Sequence, residues 1–454
     1  MTLELFPYQK ETVDRVVERD LIFGEPTYIA HEMGLGKTPI AIAIAKERGD
    51  KRVGVFCPPV AKLTWEKELK RWWPGVRCVT IESWKDIPKL DGDGVFIVAY
   101  SLLSQSKSGG YDYIDGIRKR LIMRPLDMSV LDEAHALKNS GAIRTKAVLK
   151  TLLPYLGWCL PMSGTPAPNH QGELFPVLAA LYPKAIEGAF GKPMKQYEFE
   201  SVYCQIVEKW FGGRAVRTID GSKNIDALRS KLDGFIVRKR KKDVLKDLPD
   251  MAFDLYPVSA PNAPPWRGAG DWKGMSEDEF LRASQQFDTH VMTMRREVGE
   301  AKVQGAVEVV SDYLDGCRRK VVVFAHHTSV IAGMMSGLLK YHPVLIDGSV
   351  SKPQRDLAIK RFLDDPLCRV FVGQITAAGT SITLCGANND VSDVFFVEAD
   401  FSPGINVQAA SRIHRIGQKN AVQVWFLNAA GTFDDRVMDI NVRKARDFDR
   451  TFNQ

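Results

Sequence analysis

The sequence predicts an α/β protein of two lobes, each with a parallel sheet that helices cover on both faces. Short apolar, β-branched runs alternate with helical patterns, and continuous apolar strands separated by helices are typical of parallel sheets. The strands fall into two sets, which indicates two α/β lobes. A chain of 454 residues is also longer than one hydrophobic core usually supports. The predicted strands are 53–57, 95–99, 128–131 and 158–162 in the first set, and 320–325, 343–346, 369–372, 394–398 and 422–427 in the second.

The composition changes between these two sets of strands. Residues 187–250 have a charged, mostly helical pattern and end in the basic run Arg238–Lys242. Residues 257–274 are rich in proline, glycine and tryptophan, as loops and linkers are, and a helical pattern returns at 276–315. We therefore predict a first lobe, a helical insertion, a linker with a helical segment, and a second lobe, at residues 1–190, 191–250, 251–300 and 301–454.

Composition and charge are those of an ordinary soluble globular protein with a mild basic excess. Hydrophobic residues make up 45% of the chain, charged residues 26%, and the net charge is +7. No run approaches the roughly 18 apolar residues of a membrane span, and the N-terminus does not resemble a signal peptide. The cysteines form no Cys-x-x-Cys pair, so neither structural zinc nor a disulfide framework is expected. The basic excess is compatible with nucleic-acid binding without requiring it.

A glycine-rich turn between a strand and a helix predicts a phosphate-binding loop. Residues 30–38 read Ala-His-Glu-Met-Gly-Leu-Gly-Lys-Thr, after a short apolar segment and before a strong helix-forming run. Backbone N–H groups of such a turn face an anion, Lys37 adds a positive charge, and the Thr38 hydroxyl can ligate Mg²⁺. The strict pattern has glycine where this chain has His31, so the motif alone is weak evidence for a nucleotide.

Paired acids about a hundred residues further on strengthen the nucleotide interpretation. They lie in Val-Leu-Asp-Glu-Ala-His, residues 130–135, after an apolar run that predicts a strand. Asp132 would hold Mg²⁺, while Glu133 would orient and deprotonate the attacking water. An acidic turn at a strand end is the simpler alternative for the pair alone. Together with the preceding loop, the pair predicts a nucleotide-hydrolysing site.

A third candidate segment lies near the C-terminus. Ser402-Pro403 predicts the start of a helix and Gly417 its end. Gln408, Arg412 and Arg415 would then lie on one helix face, at spacings of four and three. Two arginines that point the same way suit a γ-phosphate whose charge spreads during transfer. A solvated basic helix face is the alternative.

These elements, in this order, resemble a Swi/Snf-family motor of helicase superfamily 2, nearest to its annealing-helicase (HARP-like) branch, over nearly the whole chain. Residues 32–38 are similar to the family's motif I, with His31 where an acid is usual, and residues 6–9 resemble its adenine-reading Q motif. Motif V departs from the family at Thr380-Ser381, where a Gly-Leu or similar pair is usual. The other similar stretches are residues 58–68, 97–103, 132–139, 160–166, 236–249, 321–330, 346–349 with Arg355, 374–384 and 408–418.

The resemblance implies two RecA-like lobes that hold ATP and Mg²⁺ in the cleft between them. The catalytic residues would be Lys37, Asp132, Glu133, Arg412 and Arg415. The nucleotide would contact Gln9, Met33, Gly34, Leu35, Gly36, Lys37, Thr38, Gly379 and Gln408. The metal ligands would be Thr38 and Asp132. Coupling between the cleft and a DNA groove would involve His135, Ser163 and Thr165.

The resemblance also implies a DNA groove that runs across both lobes. Its contacts would be to the DNA backbone, so binding should be salt-sensitive and nearly independent of sequence. Trp65 is interpreted as a core aromatic residue, whereas the basic run Arg238–Lys242 could line the DNA path or form a solvated face. The candidate DNA contacts are Lys62, Ser101, Lys138, Asn139, Asn169, Ser349 and Thr376.

The implied function is an ATP-dependent double-stranded-DNA translocase, a DNA-stimulated ATPase that moves along or remodels DNA or protein–DNA complexes without sequence specificity. An RNA or single-strand helicase is one alternative, because the Asp-Glu-x-His box also occurs there. A non-catalytic, ATP-switched DNA clamp is another. The expected partner is duplex or branched DNA, and the expected state is a monomer without membrane contact. We expect an intracellular protein, in the cytoplasm or nucleoid if a bacterium or phage encodes it.

Overall fold

Two parallel sheets organise the chain, one in each of two units. The computed structural model describes residues 4–104, 112–188, 191–211, 214–264, 291–375, 382–385, 391–415 and 417–452. The first unit comprises residues 1–206, 221–244 and 448–454, and the second comprises 207–220 and 245–447. Helices flank both sheets, which confirms the predicted fold class.

The sheet of the first unit has seven strands. The strands up to residue 237 are β1 (Tyr28–Ile29), β2 (Arg52–Cys57), β3 (Cys78–Ile81), β4 (Gly94–Ala99), β5 (Met128–Asp132), β6 (Trp158–Met162), β7 (Cys204–Phe211), β8 (Arg214–Ser222) and β9 (Ile236–Val237). Their order in the sheet is β3-β4-β2-β5-β6-β1-β9, with β7 and β8 forming a separate pair. All neighbours in the seven-stranded sheet are parallel.

Alternate strand residues of this sheet enter two separate hydrophobic clusters, because successive side chains of a strand point to opposite faces. Val55 and Val130 belong to one cluster, while Phe56 and Leu131 belong to the other. The helices that cover these faces are α1 (Pro7–Phe23), α2 (Lys37–Arg48), α3 (Lys62–Trp72), α4 (Tyr113–Met123), α5 (Ile143–Lys146, continued by a π-helix at Ala147–Leu152), α6 (Phe175–Leu181), α7 (Gln196–Tyr203), α8 (Ile225–Leu232) and α9 (Lys241–Val244).

The predicted helical insertion at 191–250 is only partly helical. It contains α7, α8 and α9, but β7 and β8 pair with each other between α7 and α8. The sequence carries a signal for this pair that the helical prediction missed, since Gly212-Gly213 separates two runs rich in valine, tryptophan and isoleucine.

The second unit is built on a six-stranded parallel sheet. Its strands are β10 (Met251–Pro257), β11 (Lys320–Ala325), β12 (Val344–Ile346), β13 (Val370–Gln374), β14 (Val391–Phe396) and β15 (Val422–Asn428). Their order is β10-β15-β14-β11-β13-β12. The flanking helices are α10 (Val291–Asp315), α11 (Thr328–Gly337), α12 (Lys352–Asp364), α13 (Pro403–Ala410) and α14 (Phe433–Phe452). In the part of the chain that the structure describes, no helix has both the length and the apolar character needed to cross a membrane.

One strand of this sheet lies where a linker was predicted. β10 falls within the region 251–300, and it pairs with β15 residue by residue, from Met251 opposite Val422 to Pro257 opposite Asn428. Most of its side chains are exposed because it forms the edge of the sheet, so its sequence has no continuous apolar run. The linker prediction is therefore wrong for these seven residues.

Candidate nucleotide site

The candidate residues of the first unit follow the carboxyl ends of its strands. The glycine-rich loop follows β1, Lys62 and Ser101 follow β2 and β4, the acids end and follow β5, and Ser163 follows β6. Because parallel strands end at the same edge of a sheet, the topology brings these segments together. This edge is the usual place for a ligand in an α/β sheet.

The loop turns through two glycines in the left-handed region. Gly34 has a φ of 86° and Gly36 a φ of 71°, values that side chains with a Cβ rarely adopt. A Cβ on Gly36 would also collide with the side-chain amide of Gln9. α2 begins directly after this turn at Lys37, so its positive N-terminal end lies at the loop. This is the local geometry of an anion-binding turn.

Lys37 lies beside the acids and the loop. Its Nζ donates a hydrogen bond to the carbonyl oxygen of His31 at 3.1 Å. Burial lowers the pKa of Lys37, while the charges of Glu133 and Asp132 act in the opposite direction. The three predicted catalytic residues of the first unit therefore form one electrostatic group.

Asp132 is buried and held by a tryptophan. The indole Nε1–H of Trp65 donates to Oδ2 of Asp132 at 2.8 Å, and the Glu133 amide donates to Oδ1 at 3.1 Å. Burial, together with the charge of Glu133, raises the pKa of Asp132 to about 6. Trp65 is 2% exposed, which confirms its prediction as a core residue. Its hydrogen bond to the acid was not predicted.

Glu133, His135 and the loop after β6 form a hydrogen-bonded cluster. Ser163 Oγ donates to Oε2 of Glu133 at 3.2 Å and accepts from the amide of Thr165 at 3.1 Å. Nδ1 of His135 lies 2.8 Å from the same Ser163 Oγ, so Nδ1 is the donor of that bond. Burial acts to raise the pKa of Glu133, but its contacts with His135, Lys37 and Ser163 lower it to about 2. Two predicted coupling residues, His135 and Ser163, are thus in contact with the predicted base, and Thr165 is bonded to Ser163. The coupling role of all three stays a prediction.

His31 is neutral and hydrogen-bonded through both ring nitrogens, whereas an acid at this position would carry a negative charge. The amide of Lys239 donates to Nδ1 at 3.2 Å, so Nε2 carries the proton and donates to Thr12 Oγ1 at 2.9 Å. The ring is fully buried, and this burial, with the charges of Lys37, Lys239 and Arg238, lowers its pKa to about 3. His31 is therefore a neutral residue that joins the loop to α1 and to the basic run.

Gln9 is bonded to the phosphate loop. Its Nε2 donates to the carbonyl oxygen of Leu35 at 3.2 Å, and the hydroxyl of Tyr8 donates to the same oxygen at 3.1 Å. Oε1 of Gln9 accepts from the amide of Phe6 at 2.9 Å, at the start of α1. Contact of this amide with adenine stays a prediction. Met33 is buried, and Thr38 occupies the first turn of α2.

The candidate DNA contacts of the first unit are not all equivalent. Lys138 Nζ and Asn169 Nδ2 both donate to Oε1 of Glu173, at 2.6 and 2.7 Å, and Glu173 is buried. Lys62 pairs with Glu82 at 2.5 Å. Ser101 and Asn139 are exposed. Glu173 was missed by sequence analysis, because a glutamate within Gln-Gly-Glu-Leu carries no motif of its own.

In the second unit the helix predicted to start at Ser402 does so, with Ser402 at the N-cap and Pro403 first in α13. It ends at Ala410, however, and not at Gly417. The amides of Arg412 and Ile413 bond three residues back, at 3.1 and 3.2 Å, which tightens the chain into turns. The predicted single helix face for Gln408, Arg412 and Arg415 is therefore wrong, since only Gln408 lies on the helix.

The arginines differ in their surroundings. Arg412 is buried, and its carbonyl oxygen accepts from the amide of Leu384 at 2.9 Å. Nη1 of Arg415 donates to Thr383 Oγ1 at 2.7 Å, and burial lowers the pKa of Arg415. Ser349 is exposed and bonded to Asp347. The remaining candidates, Thr376 and Gly379, lie outside the described residues.

Two protein families match this chain. The SNF2-related domain matches residues 8–258, and the helicase conserved C-terminal domain matches residues 305–417. The "DNA annealing helicase and endonuclease ZRANB3" of Bos taurus is 28% identical over 461 residues, which are 99% of this chain and 41% of that protein. A Caenorhabditis elegans homolog of "SWI/SNF-related matrix-associated actin-dependent regulator of chromatin subfamily A-like protein 1" is 31% identical, over 95% of this chain and 59% of that protein.

The chain thus spans about two fifths of the first relative and three fifths of the second. Among solved structures, the "Sulfolobus solfataricus SWI2/SNF2 ATPase core in complex with dsDNA" has 21% identity and a TM-score of 0.45, and covers 100% of this chain and 98% of that chain. Because the SNF2-related domain alone matches more than half of the residues, the chain belongs to the SNF2 family of helicase-related ATPases.

Proposed function

We propose that this protein is an ATP-dependent double-stranded-DNA translocase, a DNA-stimulated ATPase that moves along or remodels DNA without sequence specificity. The observation that carries the proposal is the group formed by Lys37, Asp132 and Glu133 beside a phosphate-binding turn, in a chain of the SNF2 family. Lysine, a metal-binding acid and a base are the parts that phosphoryl transfer to water requires.

The donor set beside Lys37 fits Mg²⁺. The two acids are adjacent and Asp132 is buried. Burial with the neighbouring charge raises the pKa of Asp132, so a further cation would be favoured there. A carboxylate and a hydroxyl are hard oxygen ligands of the kind that Mg²⁺ prefers. In our proposal Asp132 and Thr38 hold the metal, which would neutralise charge on the β- and γ-phosphates when bound.

The protein's own residues have separate tasks in this proposal. Lys37 leaves the His31 carbonyl to contact phosphate, and Glu133 orients and deprotonates the attacking water. His135, Ser163 and Thr165 transmit changes at Glu133 to the loop after β6. Arg412 and Arg415, which belong to the second unit, act on the charge that spreads over the γ-phosphate.

The expectation of DNA as the polymer rests on the relatives. The name of the bovine relative includes action on DNA, and we take over that feature only. Lys138 and Asn169 share the buried Glu173 near the same sheet edge, which makes them fixed donors for a phosphate backbone. Contacts of this kind position DNA without reading its bases.

ATP turnover with duplex DNA, single-stranded DNA, RNA and no polymer tests the proposal. We expect the largest turnover with duplex DNA and equal turnover with two unrelated sequences. Stimulation by RNA alone would favour an RNA helicase. Absence of turnover with every polymer, with ATP-dependent DNA binding retained, would favour a clamp.

A Glu133→Gln variant gives the background of this assay. The amide cannot accept the proton of water, so turnover should fall at least about a hundredfold while ATP binding persists. Glu47→Gln removes the same charge from an exposed residue of α2 and should leave turnover unchanged. A Glu133→Gln variant that hydrolyses ATP normally would remove Glu133 as the base.

A further inference from the structure

The segment after β9 lies alongside the phosphate loop and is hydrogen-bonded to it. It continues the ladder between β1 and β9 beyond the ends of both strands, as far as the loop itself. Three amides donate to carbonyl oxygens across this ladder, at 2.8, 2.8 and 3.0 Å: Tyr28 to Phe235, Ala30 to Val237, and Glu32 to Lys239. The basic run Arg238–Lys242 therefore starts beside the loop. Neither of the two roles considered for it, lining a DNA path or forming a solvated face, requires this position.

Arg238 binds two loops at once. Its Nη1 donates to the carbonyl oxygen of Ala30 at 2.7 Å and lies 3.4 Å from that of Gly164. Ala30 precedes His31, whose carbonyl oxygen accepts Lys37 Nζ. Gly164 follows Ser163, whose hydroxyl donates to Glu133. One guanidinium thus joins the loop that carries the lysine to the loop that holds the base.

The neighbours of Arg238 fix its position along the loop. The Lys239 amide donates to His31 Nδ1, and the Lys241 amide donates to Oε2 of Glu32 at 2.7 Å. A shift of the segment by one residue would break both bonds. Arg238 is therefore set opposite Ala30 by contacts on its C-terminal side as well as by the ladder.

We propose that Arg238 is a positioning residue of the ATPase site, which sets the separation between the Lys37 loop and the Ser163–Glu133 cluster. In this role it acts through the carbonyl oxygens of the two loops. The inference rests on the proposed ATPase function and adds a residue to it. A charge-assisted bond to two carbonyls suits this task, because a small misplacement of catalytic groups lowers the rate strongly.

The test compares Arg238→Gln with Lys242→Gln, which removes the same charge from an exposed residue of the same run. We measure kcat and KM for ATP at saturating duplex DNA, duplex affinity, and the melting temperature. Arg238→Gln should lower kcat at least about tenfold and change duplex affinity less than about twofold. Lys242→Gln should leave kcat unchanged. Arg238→Lys should recover part of the lost kcat, because its ammonium can reach one of the two carbonyls.

The outcomes separate this inference from the proposed function. A wild-type protein without turnover on any polymer would refute the function itself. An active wild type with an unchanged kcat in Arg238→Gln would overturn the positioning role alone. A loss of kcat that the unfolded fraction of Arg238→Gln explains would show that Arg238 is a structural residue. A loss of duplex affinity at constant kcat would show that it is a DNA contact. Either result also overturns the inference.

Discussion

Asp132 is held by a side chain 67 positions earlier in the chain, and this single bond links the packing of the core to the candidate metal site. Trp65 is fully buried, so its N–H must find a partner inside the protein. The partner is one oxygen of a carboxylate that we expect to ligate Mg²⁺. The tryptophan is thus a core residue, and if Asp132 ligates Mg²⁺ as we propose, it also orients that ligand, as neighbours of metal ligands commonly do.

Trp65→Phe should separate these two roles. Phenylalanine keeps most of the ring volume and removes the donor, which leaves Asp132 Oδ2 unpaired. The free energy of unfolding should fall by about 1–3 kcal/mol, and the Mg²⁺ concentration for half-maximal turnover should rise at least about tenfold. Urea unfolding and Mg²⁺ titrations measure the two effects. Trp84→Phe, at a half-exposed position, is the control, and an equal Mg²⁺ dependence in both variants would contradict this role.

The neutral state of His31 predicts a pH dependence of stability. Its pKa is about 3 in the folded protein and near 6.5 when unfolded, so the unfolded chain binds the proton first as the pH falls. The contribution of His31 to stability is complete above pH 6.5 and is lost as the pH falls from there towards 3. Between pH 7 and pH 5 the loss is about 2 kcal/mol.

His31→Asn removes this titration and should therefore lose less stability than wild type over the same pH interval. The free energy of unfolding at pH 7 and pH 5 gives the comparison, because the change with pH does not depend on the absolute stability of the variant. His342→Asn, an exposed histidine, should behave like wild type. Equal pH dependence in wild type and His31→Asn would show that His31 titrates normally.

Sequence analysis predicted the candidate reacting residues but not the residues that hold them. Lys37, Asp132 and Glu133 stand in local patterns, a glycine-rich turn and an acidic strand end, and such patterns are visible within a few residues. Trp65 and Arg238 act through bonds to residues far away in the chain, 208 positions in the case of Arg238 and Ala30. Nothing in the sequence near Arg238 distinguishes it from the other basic residues of its run.

At the scale of elements, the turn into α2 combines two separate demands on one residue. Gly36 has a left-handed φ of 71° and also lies against the Gln9 amide. Gly49, at the other end of α2, has a φ of 73° with no atom within 4 Å of an added Cβ. A residue with a Cβ would therefore be strained at both positions, but only at Gly36 would it also meet a neighbouring side chain.

Gly36→Ala and Gly49→Ala separate strain from close packing. Both should lose about 1–2 kcal/mol of unfolding free energy, because alanine is strained at this φ. Gly36→Ala should lose more, and its affinity for an ATP analogue should fall at least about tenfold because the Gln9 amide must move. Urea unfolding and analogue binding measure these effects. Equal results for both variants would mean that contact with Gln9 is unimportant for the loop.

The strands that are best predicted from the sequence are those buried on both faces of the sheet. All nine predicted strands overlap observed strands, because β2, β4, β11 and their neighbours need continuous apolar runs. The edge strand β10 has exposed side chains and so lacks that run. The end of α13 depends on turns that close onto Leu384, a contact between segments that the local sequence does not contain.

At the scale of the whole molecule, the proposed DNA binding predicts a strong dependence on salt. Each phosphate contact releases counterions, so duplex affinity should fall at least about a hundredfold between roughly 50 and 200 mM salt, equally for two unrelated sequences. The slope of log affinity against log salt concentration should fall in Lys138→Gln by about the amount that one phosphate contact contributes. Lys119→Gln, on an exposed face of α4, should not change it. Fluorescence anisotropy measures both slopes, and a strong preference for one sequence would contradict backbone recognition.

The chain leaves the first unit very soon after it has lined the phosphate loop. The Lys241 amide donates to Glu32, and the longer segment of the second unit begins at Leu245, four positions later. Any tension along the backbone at that crossing would load the Lys241–Glu32 bond first and then the contacts of Lys239 and Arg238. The loop is thus bonded to the same stretch of polypeptide that continues directly into the second unit.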